Sequence, residues 1–117
     1  MPRPPRLSDD HVSSRLRALR GWTLHDGKLH RVYEFPDFVA AFGFMTAAAH
    51  AAERLEHHPD WCNVWNRVTV DLSTHDAGGI TDKDFELAKK IEEVVLWRPA
   101  GGPLGTGNPH KFVFSKS

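Results

Sequence analysis

The sequence predicts an α+β domain in which three helices lie on one face of a four-stranded antiparallel sheet, in the order α-β-β-α-β-β-α. Three observations predict it. Three segments carry apolar residues at helical spacing, four short runs are rich in β-branched and aromatic residues, and those runs form two pairs joined by hairpin turns rather than crossovers. A chain of 117 residues with 40% apolar content suits a single core and is too short for two.

The elements follow in order. Residues 1–7, with three prolines, read as a flexible leader, which leaves 8–96 as the folded domain. Ser8 suits a helix cap, Asp9 and Asp10 complement the positive helix end, Val12, Leu16 and Leu19 share a face, and Gly21 is the expected stop. Asp26-Gly27 tolerates the positive φ angles of a tight hairpin and joins strands one and two within "WTLHDGKLHRVYEF". Pro36 fits a first helical turn, and Phe38, Ala41, Phe42, Met45, Ala49 and Ala52 then repeat with helical period. Pro59 forbids continuation, so this second helix is expected to end near His57 or His58. It also carries Val39, Ala40, Phe44, Ala47 and Ala48, an apolar surface wider than one sheet requires, which points to contact with another copy or a partner. "WCNVWNRVTVDLST" supplies strands three and four around Asn66-Arg67. In the third helix Thr81 is the N-cap, Asp84 holds the capping-box position, and Phe85, Ala88, Ile91 and Val95 share a face. Residues 97–117 are glycine- and proline-rich and read as an irregular tail, with "KFVF" as a candidate edge strand.

Several functions are disfavoured at once. Fifteen basic and fifteen acidic side chains cancel, so nothing attracts nucleic acid or an anionic membrane directly. The longest apolar stretch, Phe38 to Ala52, falls short of the roughly 20 residues that cross a bilayer, and His50 interrupts it. The amino terminus lacks the apolar core of a secretory signal, and Cys62 is the sole cysteine, so no internal disulfide forms and a cytoplasmic location is expected. The sequence contains no G-x-G-x-x-G, G-x-x-x-x-G-K-[ST], G-x-S-x-G or H-E-x-x-H.

What stands out is eight histidines. His11, His25, His30, His50 and His110 are scattered and read as solvated surface groups, whereas His57, His58 and His75 converge. With Asn66 and Arg67 as turn residues, the hairpin register sets His58 opposite His75, with Cβ atoms about 4.5 to 5.5 Å apart. His57 approaches from the helix exit beside His58. Glu53 lies one helical turn before His57, where its carboxylate can orient that imidazole, and Asp84 closes the rim. Each has a plainer alternative: His57 against a helix carboxyl end, Glu53 as a helix-pair partner, Asp84 as a simple cap. Three histidines and a carboxylate can also hold zinc, but side chains from consecutive helical residues diverge, so no metal is expected.

Glu53, His57, His58, Pro59, Trp65, His75 and Asp84 together resemble the pterin-4a-carbinolamine dehydratase pattern: an acidic or basic residue, three spaces, His, His or Asn, Pro, five or six spaces, an aromatic, nine spaces, His or Trp, then a spaced Asp. "AFGFMT", "HHPDW", "NVWN" and "LSTH" are similar to the family too, and the likeness runs from about Gly21 to about Val95, while the leader and the tail after Leu96 depart from it. The resemblance implies loss of water from 4a-hydroxytetrahydropterin to give quinonoid dihydropterin, in the recycling that follows aromatic amino acid hydroxylation, with no cofactor or metal. It implies acid and base roles for His57 and His75, substrate orientation by His58, and support from Glu53 and Asp84. Trp61 and Trp65 are candidates to line a pterin pocket, with packing in the core or on the sheet as the alternative. The family further implies a homodimer or homotetramer. The other reading it offers is a non-catalytic dimerisation or coactivator module for a homeodomain transcription factor, using the apolar surface of the second helix.

Overall fold

The computed structural model describes residues 5–96 and 114–116, and the remainder of the leader and tail lies outside the described residues. The chain forms α1 (Asp9–Leu16), β1 (Thr23–His25), β2 (Lys28–Glu34), α2 (Phe38–Leu55), β3 (Asp60–Val64) and β4 (Arg67–Leu72). A one-turn 3-10 helix (His75–Ala77), α3 (Asp82–Leu96) and β5 (Phe114–Lys116) follow. The four expected strands are antiparallel in the order β1-β2-β4-β3. β1 covers only Lys28–His30 of β2, and β5 pairs with Val32–Glu34, beginning on the last residue of the "KFVF" run.

Alternation along the strands makes one face the core. Leu29 and Tyr33 of β2 and Val68, Val70 and Leu72 of β4 are fully buried against Ala41, Ala48 and Ala52 of α2 and Leu87, Ala88 and Ile91 of α3. Local chemistry accounts for the first half of the chain. The Ser8 hydroxyl accepts from the His11 amide at 3.2 Å, and Asp26 and Gly27 both adopt positive φ, 51° and 74°, at the hairpin. α1 stops at Leu16 rather than at Gly21; the glycine instead takes φ 85° where any Cβ would collide with the Arg31 guanidinium.

Three further expectations are corrected. First, α2 buries Ala41, Phe44, Ala48 and Ala52 and leaves Phe38, Val39 and Phe42 exposed, so Phe44 and Ala48 belong to the core and Phe38 and Phe42 to the outer face. A helix apolar on nearly all sides offers two stripes of equal period, and only the sheet decides between them. Second, the β3–β4 turn is Trp65-Asn66, since Val64 pairs with Arg67 and Asp60 with Asp71. Asn63 Nδ2 donates to the carbonyls of Trp65 and Arg67 at 2.9 and 3.0 Å, which supports the positive φ of 51° at Trp65. Asn66 is held to Phe35 by its backbone oxygen at 2.8 Å and by its side-chain amide at 2.9 Å. Third, α2 ends at Leu55. Glu56 takes the left-handed conformation, and the amides of Glu56 and His57 bond back to the carbonyls of Glu53 and Ala52, both at 3.1 Å, in the Schellman pattern where glycine is usual. His57 and His58 therefore lie beyond the end of the helix, and neither lies in the β3–β4 ladder, so His58 does not face His75 across it.

Below the sheet, Glu92 of α3 gathers three donors. Its Oε2 accepts from Trp22 Nε1 at 3.2 Å and from the Tyr33 hydroxyl, and it pairs with Arg31 Nη1 at 3.1 Å. Burial, and then the Glu92 charge, push the Tyr33 hydroxyl far above its ordinary value near 10.

Candidate active site

The site forms where the end of α2, the end of β4 and the start of α3 meet. Lys83 Nζ donates to the Leu55 carbonyl at 3.0 Å, which fastens the first turn of α3 to the last turn of α2. At the next residue, Asp84 is fully buried and its carboxylate is a hub. Oδ2 accepts from the Thr81 amide at 2.9 Å, the capping-box bond, and from the Thr74 hydroxyl at 2.8 Å. Oδ1 lies 2.5 Å from His57 Nε2. An ionised carboxylate only accepts, so this set of partners assigns a proton to His57 Nε2 and leaves Nδ1 as its other functional nitrogen. The His57 side chain is 13% exposed, so the imidazole has one nitrogen anchored inside and a narrow window outward.

His75 opens the one-turn helix immediately after Thr74 and is exposed. The loop that carries it is closed at its base by Thr74 N to Gly79 O at 2.8 Å and Gly79 N to Thr74 O at 3.3 Å. The chain His57–Asp84–Thr74 thus ends one residue from His75. His58 faces solvent and pairs with Glu53 at 2.5 Å between His58 Nε2 and Glu53 Oε2. This exchanges the expected partners: Glu53 orients His58, and Asp84 rather than Glu53 orients His57. The left-handed Glu56 is the physical reason, because it turns the chain away from the helical path on which Glu53 and His57 would have shared a face.

The tryptophans separate. Trp61 is half-buried, opposes Val70 across β3 and β4, and packs against the core. Trp65, 65% exposed, sits in the hairpin turn at the end of β3 opposite the histidines, about 17 Å from Asp60 at the usual rise of a strand. Thr74 and Thr81 complete the cluster and escaped the sequence reading as site residues; "LSTH" placed Thr74 beside His75, but nothing local announces a bond to a carboxylate ten residues on. Among the described residues, no group of three or more His, Cys, Asp or Glu side chains is arranged to hold a metal ion.

A family model described as pterin 4 alpha carbinolamine dehydratase matches residues 5–94. The chain belongs to this family. A relative from Solibacter usitatus, provisionally named pterin-4-alpha-carbinolamine dehydratase, is 59% identical over 87 residues, 74% of this chain and 92% of that protein. One from Rhizobium johnstonii with the same provisional name is 52% identical over 90 residues, 75% and 89% of the two chains. The solved transcriptional coactivator/pterin dehydratase of Brucella melitensis superposes with a TM-score of 0.73 at 45% identity, covering 76% of this chain and 97% of its own. The carbinolamine dehydratase family segment thus includes the whole His57–Asp84 cluster.

Proposed function

We propose that the chain dehydrates 4a-hydroxytetrahydropterin to quinonoid dihydropterin by histidine acid/base catalysis, as a step that returns the pterin to use after aromatic amino acid hydroxylation. The reaction breaks the C4a–O and N5–H bonds, forms the C4a=N5 double bond and releases water. One group must take the N5 proton while another delivers a proton to the departing hydroxyl. The observation that carries the reading is the His57–Asp84 pair: a buried carboxylate fixes the ring and balances the imidazolium charge while a second nitrogen remains for exchange with substrate. His75 is the second exchanging group, His58 with Glu53 orients the pterin, and Trp61 is better placed than Trp65 to border it. These roles need no cofactor or metal. A reducing cytoplasm suits the exposed Cys62 thiol, and among the described residues no helix is long and apolar enough to cross a membrane.

The test follows carbinolamine generated by a hydroxylase and compares its loss with a protein-free control, because the adduct also collapses unaided. The native chain is expected to accelerate loss well above the control, and His57→Ala and His75→Ala to fall back toward it. A native rate equal to the control would remove the proposal.

A second reading is favoured by one observation. Phe38, Val39 and Phe42 are 48%, 78% and 56% exposed on α2. Such a face suits a homodimer or homotetramer, and the coactivator named in the Brucella structure makes a protein partner the competing occupant. Phe42→Asp is expected to lower the mass seen in light scattering while preserving the circular dichroism of the monomer. An unchanged mass would leave that face without a self-association role.

A further inference from the structure

We propose that Thr74 is a positioning residue that holds His57 and His75 in register with each other. The idea takes its chemistry from the dehydratase reading, while its geometry stands apart from it. Thr74 is 9% exposed and is tied down twice. Its backbone closes the base of the His75 loop against Gly79, and its hydroxyl donates to Asp84 Oδ2 at 2.8 Å. Because that hydroxyl proton is committed to Asp84, the 2.7 Å contact between the two threonine hydroxyls is a donation from Thr81 to Thr74. A directed chain results, Thr81 hydroxyl to Thr74 hydroxyl to Asp84, and His57 donates to the opposite carboxylate oxygen.

The consequence is geometric. His57 stands beyond the end of α2 and His75 beyond the end of β4, and no shared element fixes their separation. The Thr74 hydroxyl joins the loop of one to the anchor of the other. Without it, Oδ2 keeps the Thr81 amide but loses the bond that sets the plane of the carboxylate. Rotation of that plane turns Oδ1 away from His57 and releases the ring.

The experiment compares Thr74→Val, which keeps the shape and removes the donor, with Thr74→Ser, which keeps the donor, both in the full chain. Two readouts are taken: kcat and KM on carbinolamine, and the NMR resonance of the His57 Nε2 proton without substrate. Thr74→Val is expected to lose roughly ten- to a hundredfold in kcat with KM changed by less than about threefold, and to lose the ring-proton resonance to solvent exchange. Thr74→Ser is expected to restore both. A folded Thr74→Val that keeps its kcat and its ring proton overturns the proposal, as does a Thr74→Ser that restores neither. If Thr74→Val does not fold, Thr74→Ala replaces it with the same expected losses. Should the native chain prove inactive on carbinolamine, the ring proton still decides: its loss in Thr74→Val and return in Thr74→Ser uphold the positioning role while the dehydratase reading falls.

Discussion

Asp84→Asn is expected to lower kcat about 10²-fold or more while the fold survives. The argument turns on which end of the new amide faces which partner. The Thr81 amide and the Thr74 hydroxyl both donate to Oδ2, so the carbonyl oxygen of an asparagine must stay on that side. Its amide nitrogen then faces His57 Nε2, where an acceptor stood. Two N–H groups cannot face each other, so the imidazole is forced into the other tautomer, with its proton on Nδ1 and its lone pair turned inward. For the proposed proton exchange the imidazole is then presented in the wrong form, and the carboxylate charge that would balance an imidazolium is gone. Stability should fall by only about 1 kcal/mol, because the capping bonds persist. Steady-state kinetics together with ¹⁵N shifts of the His57 ring provide the check. Activity within threefold of native, or an unchanged tautomer, would show that Asp84 does not govern this histidine.

The second large effect concerns stability. Glu92→Ala removes the shared acceptor of Trp22 and Tyr33 and takes the carboxylate from Arg31, whose side chain is 7% exposed. Breaking a buried ion pair by removing one partner costs about 3–5 kcal/mol, and the 24% exposure of Glu92, together with the bond Arg31 keeps to the Arg20 carbonyl, argues for the lower end. About 3 kcal/mol is still a large part of the 5–15 kcal/mol that holds a typical domain. Urea titration should show the midpoint fall with little change in slope. The same cluster sets an alkaline limit. Tyr33 titrates higher folded than unfolded, so its contribution is complete below the unfolded value near 10 and is lost as pH rises above it, when only the unfolded chain can ionise. Tyr33→Phe should flatten that decline.

Legibility in the sequence followed the range of the interactions responsible. Asp26-Gly27 announced its hairpin because both residues favour positive φ by themselves. Trp65 has no such preference, and its turn depends on the Asn63 side chain reaching two carbonyls, so the local sequence points to a turn one residue too late. The α2 face is ambiguous in the sequence because Phe42 and Phe44 are equally apolar and differ only in what lies opposite. Within the site, Thr81 and Asp84 were visible as a capping box, a pattern four residues long. That the same carboxylate also meets His57 depends on a left-handed glutamate at the end of another helix, which no periodicity encodes.

α3 carries one carboxylate near its start and another eight residues later, Asp84 and Glu92, about 12 Å apart along the axis. Each is gripped by donors from different parts of the sheet layer and its loops. The rod is pinned at two stations and can neither slide nor roll without stranding a charge at one of them. The groups that hold His57 are therefore in place before any guest arrives, and occupancy should draw little on segmental ordering: free and loaded forms ought to share one backbone, with tightness of capture governed by shape and hydrogen bonding rather than by closure.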